Sequence, residues 1–147
     1  MGTGASREIK TRRILNASRE SIWGAFFDAD ALSSWWGPQG FTNTFDTFDL
    51  RPGGEWRFTM RGPDGGEYPM RKIFVEVVAP EKFVFDHPDA VHGHRMSISL
   101  REAGNGTEVL WEMLFDSADE AERVRAFVEP ANEQNLDRLS AHVAKAK

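Results

Sequence analysis

The stretch Asp49-Leu-Arg-Pro-Gly-Gly-Glu-Trp-Arg-Phe-Thr-Met60 constrains this chain more than any other. Trp56, Phe58 and Met60 take every second position, and Glu55, Arg57, Thr59 and Arg61 alternate with them. A period of two sends alternate side chains to opposite pleat faces, so this is a strand with one bulky apolar face and one wet face. Arg51-Pro52-Gly53-Gly54 is turn chemistry that joins it to an earlier strand. Two aromatic rings and a thioether make an adaptable inner surface, suited to a packed core or to the wall of a pocket.

The alternation recurs along the chain. Strands are expected over 7–15, 42–50, 55–61, 67–78, 82–86, 95–102 and 107–115, the first basic and at a sheet edge. Met96, Ile98 and Leu100 share one face opposite Ser97 and Ser99, as do Val109, Trp111, Met113 and Phe115 on the last strand. The separators Gly62-Pro-Asp-Gly-Gly66, Ala79-Pro80-Glu81 and Ala103-Gly-Asn-Gly106 are short and turn-rich, which favours antiparallel neighbours.

Helical spacing appears in two places. Asn16-Ala17-Ser18 caps a helix over 19–27 that carries Ile22, Trp23, Phe26 and Phe27. Asp28 or Asp30 caps a second, short helix with Leu32, Trp35 and Trp36, ended by Gly37-Pro38-Gln39-Gly40. After Phe115, Ser117-Ala-Asp-Glu120 is a capping box. The helix it opens is expected to run to about residue 127, to break at Pro130, and to resume with Asn132, Leu136, Leu139 and Val143 on one stripe. Helices segregated from an antiparallel sheet give an α+β class. The expected architecture is one domain over 1–147, with 1–6 unstructured and a curved sheet around a long C-terminal helix.

Composition narrows the function classes. The chain has no cysteine, so disulfides, thiolate metal sites and Cys nucleophiles are excluded. A net charge of −5 gives no reason to expect nucleic acid or an acidic membrane as partner. There is no secretory signal, no long apolar span, no phosphate loop and no dinucleotide or other cofactor fingerprint. A soluble, cytoplasmic protein without cofactor is expected, its oligomeric state open to a homodimer. Five Trp and 11 Phe supply more large apolar volume than a minimal core needs, which mildly favours a lined cavity over a merely bulky core.

Trp23-Gly-Ala-Phe26, Leu32-Ser-Ser-Trp-Trp-Gly-Pro38, Asp49-Leu-Arg-Pro-Gly-Gly54 and Asn135-Leu-Asp-Arg-Leu139 follow one another in an order that resembles one family. This is the AHSA1-like group, the activator of Hsp90 ATPase homologues, within the START/Bet v 1-like (SRPBCC) superfamily. The resemblance spans 7–143. It implies the helix-grip fold, often enclosing an apolar cavity, and it implies little about activity. Members of the superfamily bind lipids, hormones or polyketides, and some cyclise or hydroxylate them. The Hsp90 activators carry a further N-terminal domain that these 147 residues do not include, which weakens a chaperone-regulating, stress-response role. Where the family often has Gly-Trp before the last Leu-x-x-Leu, Ala131-Asn132 stand here, implying a roomier and more polar pocket at that point.

By alternation the candidate ligand-binding surface is Trp56, Phe58, Met60, Met70, Phe74, Met96, Ile98, Trp111 and Met113, with Asn132, Asn135, Leu136 and Leu139 closing it from the helix. Trp36 plugs one end of the sheet or gates the pocket. Asn132 and Asn135 either bond backbone near Pro130 or await a ligand, since a buried amide without a partner costs about 1–3 kcal/mol. His87, His92 and His94, with Asp86 and Asp89 nearby, invite a zinc reading. Pro88 and Gly93 favour solvated loop imidazoles instead, and no metal site is assigned. Glu67, Tyr68, Asp86, His94, Arg101 and Glu112 could serve acid–base chemistry, but no spacing specifies a mechanism and no catalytic residue is assigned. The leading expectation is a non-catalytic binder of a small hydrophobic molecule. The rivals are a polyketide cyclase-like or other enzyme acting on an aromatic substrate, which needs a titratable group inside the cavity, and a chaperone-regulating module, which needs an exposed apolar patch such as one around Trp35 and Trp36.

Overall fold

The computed structural model describes residues 7–88 and 93–145. The expectation for 1–6 and the residues His92 and Asp89 of the zinc reading lie outside the described residues. In chain order the elements are β1 (Glu8–Leu15), α1 (Arg19–Phe27), α2 (Ala29–Trp35), β2 (Thr42–Phe48), β3 (Glu55–Arg61), β4 (Glu67–Val78), β5 (Lys82–His87), β6 (His94–Ala103), β7 (Gly106–Phe115) and α3 (Ala118–Lys145).

The seven strands form one antiparallel sheet in the order β1-β7-β6-β5-β4-β3-β2. Strands β2 to β7 are a meander, as the short turns require, and β1 closes on the far side of β7 as an edge strand. Together with α3 packed on β1 and β7, this is the helix-grip arrangement. No described helix is long and apolar enough to cross a membrane.

Alternation sets the inner face. Its lateral rows join residues that are far apart in sequence. One runs Phe74–Phe85–Met96–Met113–Ile9, the next Phe83–Ile98–Trp111–Thr11. Two bulges bend the sheet. One falls between Phe45 and Thr47, the other between Phe74 and Glu76. Each extra residue shifts the alternation, so Phe45 and Phe48, three apart, both turn inward against Phe58 and Trp56. The expected strand over 42–50 ends two residues early at Phe48, where this bulged strand gives way to the turn.

The caps read from sequence are present. Ser18 Oγ accepts from the Ser21 N–H at 3.1 Å, Asp28 Oδ1 from Asp30 at 3.0 Å, and Ser117 Oγ from Glu120 at 3.1 Å. Pro130 departs from expectation: α3 is continuous through it. Proline removes the bond to the carbonyl four residues earlier, that of Ala126. Both residues lie on the exposed side of α3, where water can serve that carbonyl. The buried stripe of Ala121, Asn132, Asn135, Leu136, Leu139 and Val143 holds both halves against the sheet.

Within the turn, the Arg51 guanidinium donates to Asp49 Oδ2 at 2.9 Å. The turn is fastened to β4 by backbone: the Gly53 N–H donates to Phe74 O at 2.8 Å, and the Phe74 N–H to Gly54 O at 2.9 Å. A Cβ on Gly54 would lie 2.1 Å from the Asp49 carbonyl oxygen, so only glycine fits there. By contrast, a Cβ on Gly24 of α1 meets nothing within 4 Å. Gly54→Ala is therefore expected to destabilise by about 2 kcal/mol or more, while Gly24→Ala stabilises by about 0.5–1 kcal/mol. Urea denaturation of both variants checks this, and equal effects would contradict the packing described.

Candidate ligand site between the sheet and the last helix

The structure places Trp36, Trp56, Phe58, Met60, Phe74, Met96, Ile98, Trp111, Met113, Asn132, Asn135, Leu136 and Leu139 in one buried layer, with Met70 partly buried at its margin. What fills the middle of this layer is Trp36. Its indole stacks on Trp111 with centroids 5.5 Å apart and planes 18° apart. It meets Trp56 edge-on at 5.1 Å and Phe85 at 6.4 Å. Trp36 is 6% exposed and Trp35 2%, so this pair furnishes no apolar surface patch of the kind an interaction module would need. The Trp35 indole donates to Ala25 O at 3.0 Å, which locks α2 to α1.

The segment behind Trp36 is tied to α3 by side chains. The Gly37 N–H donates to Asn135 Oδ1 at 3.2 Å, and the Gln39 N–H to Gln134 Oε1 at 3.2 Å. Arg138 donates to the carbonyls of Ser34, Trp36, Gly37 and Pro38 at 2.9–3.2 Å. Gly37 has φ +98°, a left-handed conformation that lets the chain turn back beneath α3. Neither amide of α3 follows the expected alternatives. Asn135 is satisfied by Gly37, and the Asn132 amide reaches Thr11 Oγ1 and Met113 Sδ, both at 3.4 Å, rather than backbone near Pro130.

Most polar side chains of the interior are partnered, but a few atoms on the inner face are not. The indole N–H groups of Trp56 and Trp111 are buried and meet no acceptor among the described residues, and on β2 Asn43 Oδ1 is a buried acceptor left over. The largest surprise is Lys72. It is 4% exposed and follows Met70 and precedes Phe74 on the inward face of β4. Its ammonium nitrogen lies 5.3 Å from the Phe85 ring centroid and 3.4 Å from His87 Nδ1. No carboxylate pairs with it among the described residues. Burial alone pushes its amine down to about 7 from an ordinary 10.5.

Four of the other acid–base candidates sit on the wet face: Glu67 pairs with Arg61, Asp86 with Arg95 at 2.7 Å, Glu112 with Lys10 at 3.7 Å, and Arg101 with Glu108 at 3.9 Å. Tyr68 stands opposite Met60 on the inner face, but at the rim, where it is 46% exposed. His94 also faces inward, beside His87, ring centroids 5.1 Å apart, and against Phe115 at 5.1 Å. Two surface depressions among the described residues bear on these groups. One, of about 520 Å³, is lined by His87, His94, Arg7, Arg95, Phe115 and their neighbours. The other, of about 330 Å³, lies between Thr42, Thr59 and Glu67. Neither reaches the Trp36 layer.

Sequence reasoning passed over Lys72, Phe85, Phe45 and Phe48. Alternation could have found the first two, since Met70-x-Lys72-x-Phe74 and Phe83-x-Phe85-x-His87 are period-two runs. A lowered amine has a thermodynamic consequence. Between pH 7 and 10.5 the unfolded chain binds the proton that the folded chain has released, so stability rises with pH in that window. Below pH 7 both states hold the proton, and that gain is absent. From about pH 6 to pH 9 the native protein should gain about 2–3 kcal/mol relative to Lys72→Met, measured by urea denaturation at each pH. Parallel profiles for the two proteins would show that the amine is not buried as described.

Comparison with known proteins supports the fold at this point. The family model described as activator of Hsp90 ATPase homolog 1-like protein matches residues 16–144. No curated protein sequence matches the chain. Among solved structures, a protein from Nitrosomonas europaea is similar with a TM-score of 0.86 at 18% identity, covering 95% of this chain and 96% of that one. An Arthrobacter aurescens protein gives 0.87 at 21% identity, covering 95% and 87%. One from Mycobacterium smegmatis gives 0.82 at 23%, covering 92% and 90%. At such identities these likenesses speak to the fold alone, whereas the family model spans most of the sequence. The chain belongs to the activator of Hsp90 ATPase homolog 1-like (AHSA1-like) family.

Proposed function

We propose that this protein binds a small hydrophobic molecule between the concave sheet face and α3, in the space that the Trp36 ring occupies. The observation that carries this reading is the setting of that ring. A flat indole lies face-on to Trp111 and edge-on to Trp56, the geometry in which a flat apolar ligand would be held. The ring belongs to the six-residue connection, 36–41, between α2 and β2, which is tied to α3 by hydrogen bonds that Asn135 and Gln134 accept and Arg138 donates. Breaking such bonds is a modest cost, roughly 1 kcal/mol each, so the connection can swing out and leave aromatic walls behind. Met60 and Met113, which flank the layer, can re-pack around what enters.

Lys72 supports a second reading. An enzyme acting on a hydrophobic substrate needs a titratable group on the inner face, and this amine is one. Substrate turnover that disappears in Lys72→Met while binding persists would favour it; binding without turnover leaves the carrier.

Native mass spectrometry of protein taken from its host tests the main reading, with one retained small molecule expected. Naphthalene uptake, followed by tryptophan fluorescence, is expected to be at least about tenfold faster in Arg138→Ala, because the tethers form the entry barrier. Bare protein by mass, together with no uptake by either wild type or Arg138→Ala, would overturn it.

A further inference from the structure

The inner face of the sheet carries one lateral row unlike the others. Cross-strand register places Phe48 opposite Trp56 and Trp56 opposite Lys72. It also places His87 opposite His94 and His94 opposite Phe115. The 3.4 Å approach of Lys72 Nζ to His87 Nδ1 joins the two halves. Six side chains from six strands thus form a line across the concave surface, with three nitrogen bases in its middle and aromatic rings at its ends.

The charge balance along this line is one-sided. Cations on the outer face have carboxylate partners: Arg57 and Arg71 on Glu55, Arg95 on Asp86, Lys82 on Glu76. Lys72, the buried one, has none among the described residues. A buried charge is tolerated when paired and costly when not, so an anion brought beside this amine would supply the ion pair that the protein does not. Two further donors on the same face, the indole N–H groups of Trp56 and Trp111, are buried and unmatched. On β3 and β7 the unmet polar atoms of the interior are thus both indole donors, and a group made of acceptors complements them together with the Lys72 amine, whose only polar neighbour among the described residues is His87. The row also reaches the surface, because His87 and His94 line the 520 Å³ depression.

We propose that the ligand is a hydrophobic carboxylic acid whose carboxylate is received by the Lys72 amine, with its apolar body lying among Trp56, Trp111 and Phe85. This rests on the reading that the interior binds a small hydrophobic molecule, and it adds the ligand's chemical class. The carboxylate enters as an anion and the neutral amine takes one proton from the buffer, so that an ammonium–carboxylate pair forms. The titratable groups sharing that face are His87 on β5 and His94 on β6. The adjoining parts of β3, β7 and α3 present Trp56, Phe58, Trp111, Met113, Asn132 and Asn135, which do not titrate.

Isothermal titration of the full chain with naphthoate and with its neutral isostere naphthamide distinguishes the outcomes. At about pH 8, in phosphate and in Tris, naphthoate should bind with about 0.9 proton taken up per molecule, because most of the amine starts neutral. Naphthamide should bind without proton uptake. Lys72→Met should weaken naphthoate by about tenfold or more and leave naphthamide within about threefold. Equal binding of the two probes with no proton uptake would overturn the carboxylate assignment while leaving hydrophobic binding in place. Failure of both probes to bind would overturn both readings. The proton count comes from the wild-type protein and does not depend on how the variant folds.

Discussion

The contact between Trp36 and Trp111 is where the elements of this molecule meet. Trp111 stands in the middle of the inner face because β7 lies between β1 and β6, and Trp36 reaches it only because α2 ends there. Asn135 and Arg138 of α3 then bond the backbone just after the ring, so the helix is gripped through this segment as well as through Leu136 and Leu139. Sheet, short helices and long helix share one aromatic layer. A sheet curved by two bulges leaves a hollow against α3, and a protein of this size has to fill such a hollow with side chains or with something else. Here a tryptophan borne on a short connection fills it, and that is a different device from a branched aliphatic fixed in a strand.

That device explains the polar anomalies together. A layer packed only for stability would place leucine or phenylalanine where Lys72 stands, since burying an amine against Phe85 and Trp56 costs free energy and returns none through an ion pair. It would also turn the indole N–H groups of Trp56 and Trp111 toward carbonyls, as Trp35 does toward Ala25. The departures lie on the same face, and strain concentrated at one place is how sites differ from cores. The contrast with the outer face is instructive, because there the charges of β3, β4, β5 and β6 are paired across strands in the ordinary way.

Much of the fold was legible in the sequence because its signals are local. Period-two runs located seven strands, capping residues located the three helix starts, and turn-rich separators implied the meander. Pro130 misled because a proline's cost depends on which side of the helix faces water, and the residues around it do not say so. The bulges were invisible for a related reason: Phe45 and Phe48 share a face only after an extra residue shifts the alternation. In the aromatic layer, the burial of the apolar residues was legible and that of Lys72 was not. A lysine is ordinarily assigned to the wet face on chemical grounds, and that habit overrode the alternation of Met70, Lys72 and Phe74. Which residues of distant strands stand side by side, as Lys72 and His87 do, follows from register and needed the structure.

The central claim is that the aromatic layer between sheet and helix is a place a ligand can occupy. Five tryptophans give five indole N–H signals in nitrogen-15 NMR, and each reports its own surroundings. On saturation with naphthoate, the account predicts that the signals of Trp36, Trp56 and Trp111 shift while that of Trp35, held by the Ala25 carbonyl, stays in place. Unmoved signals for Trp56 and Trp111, with shifts confined to surface residues, would contradict it.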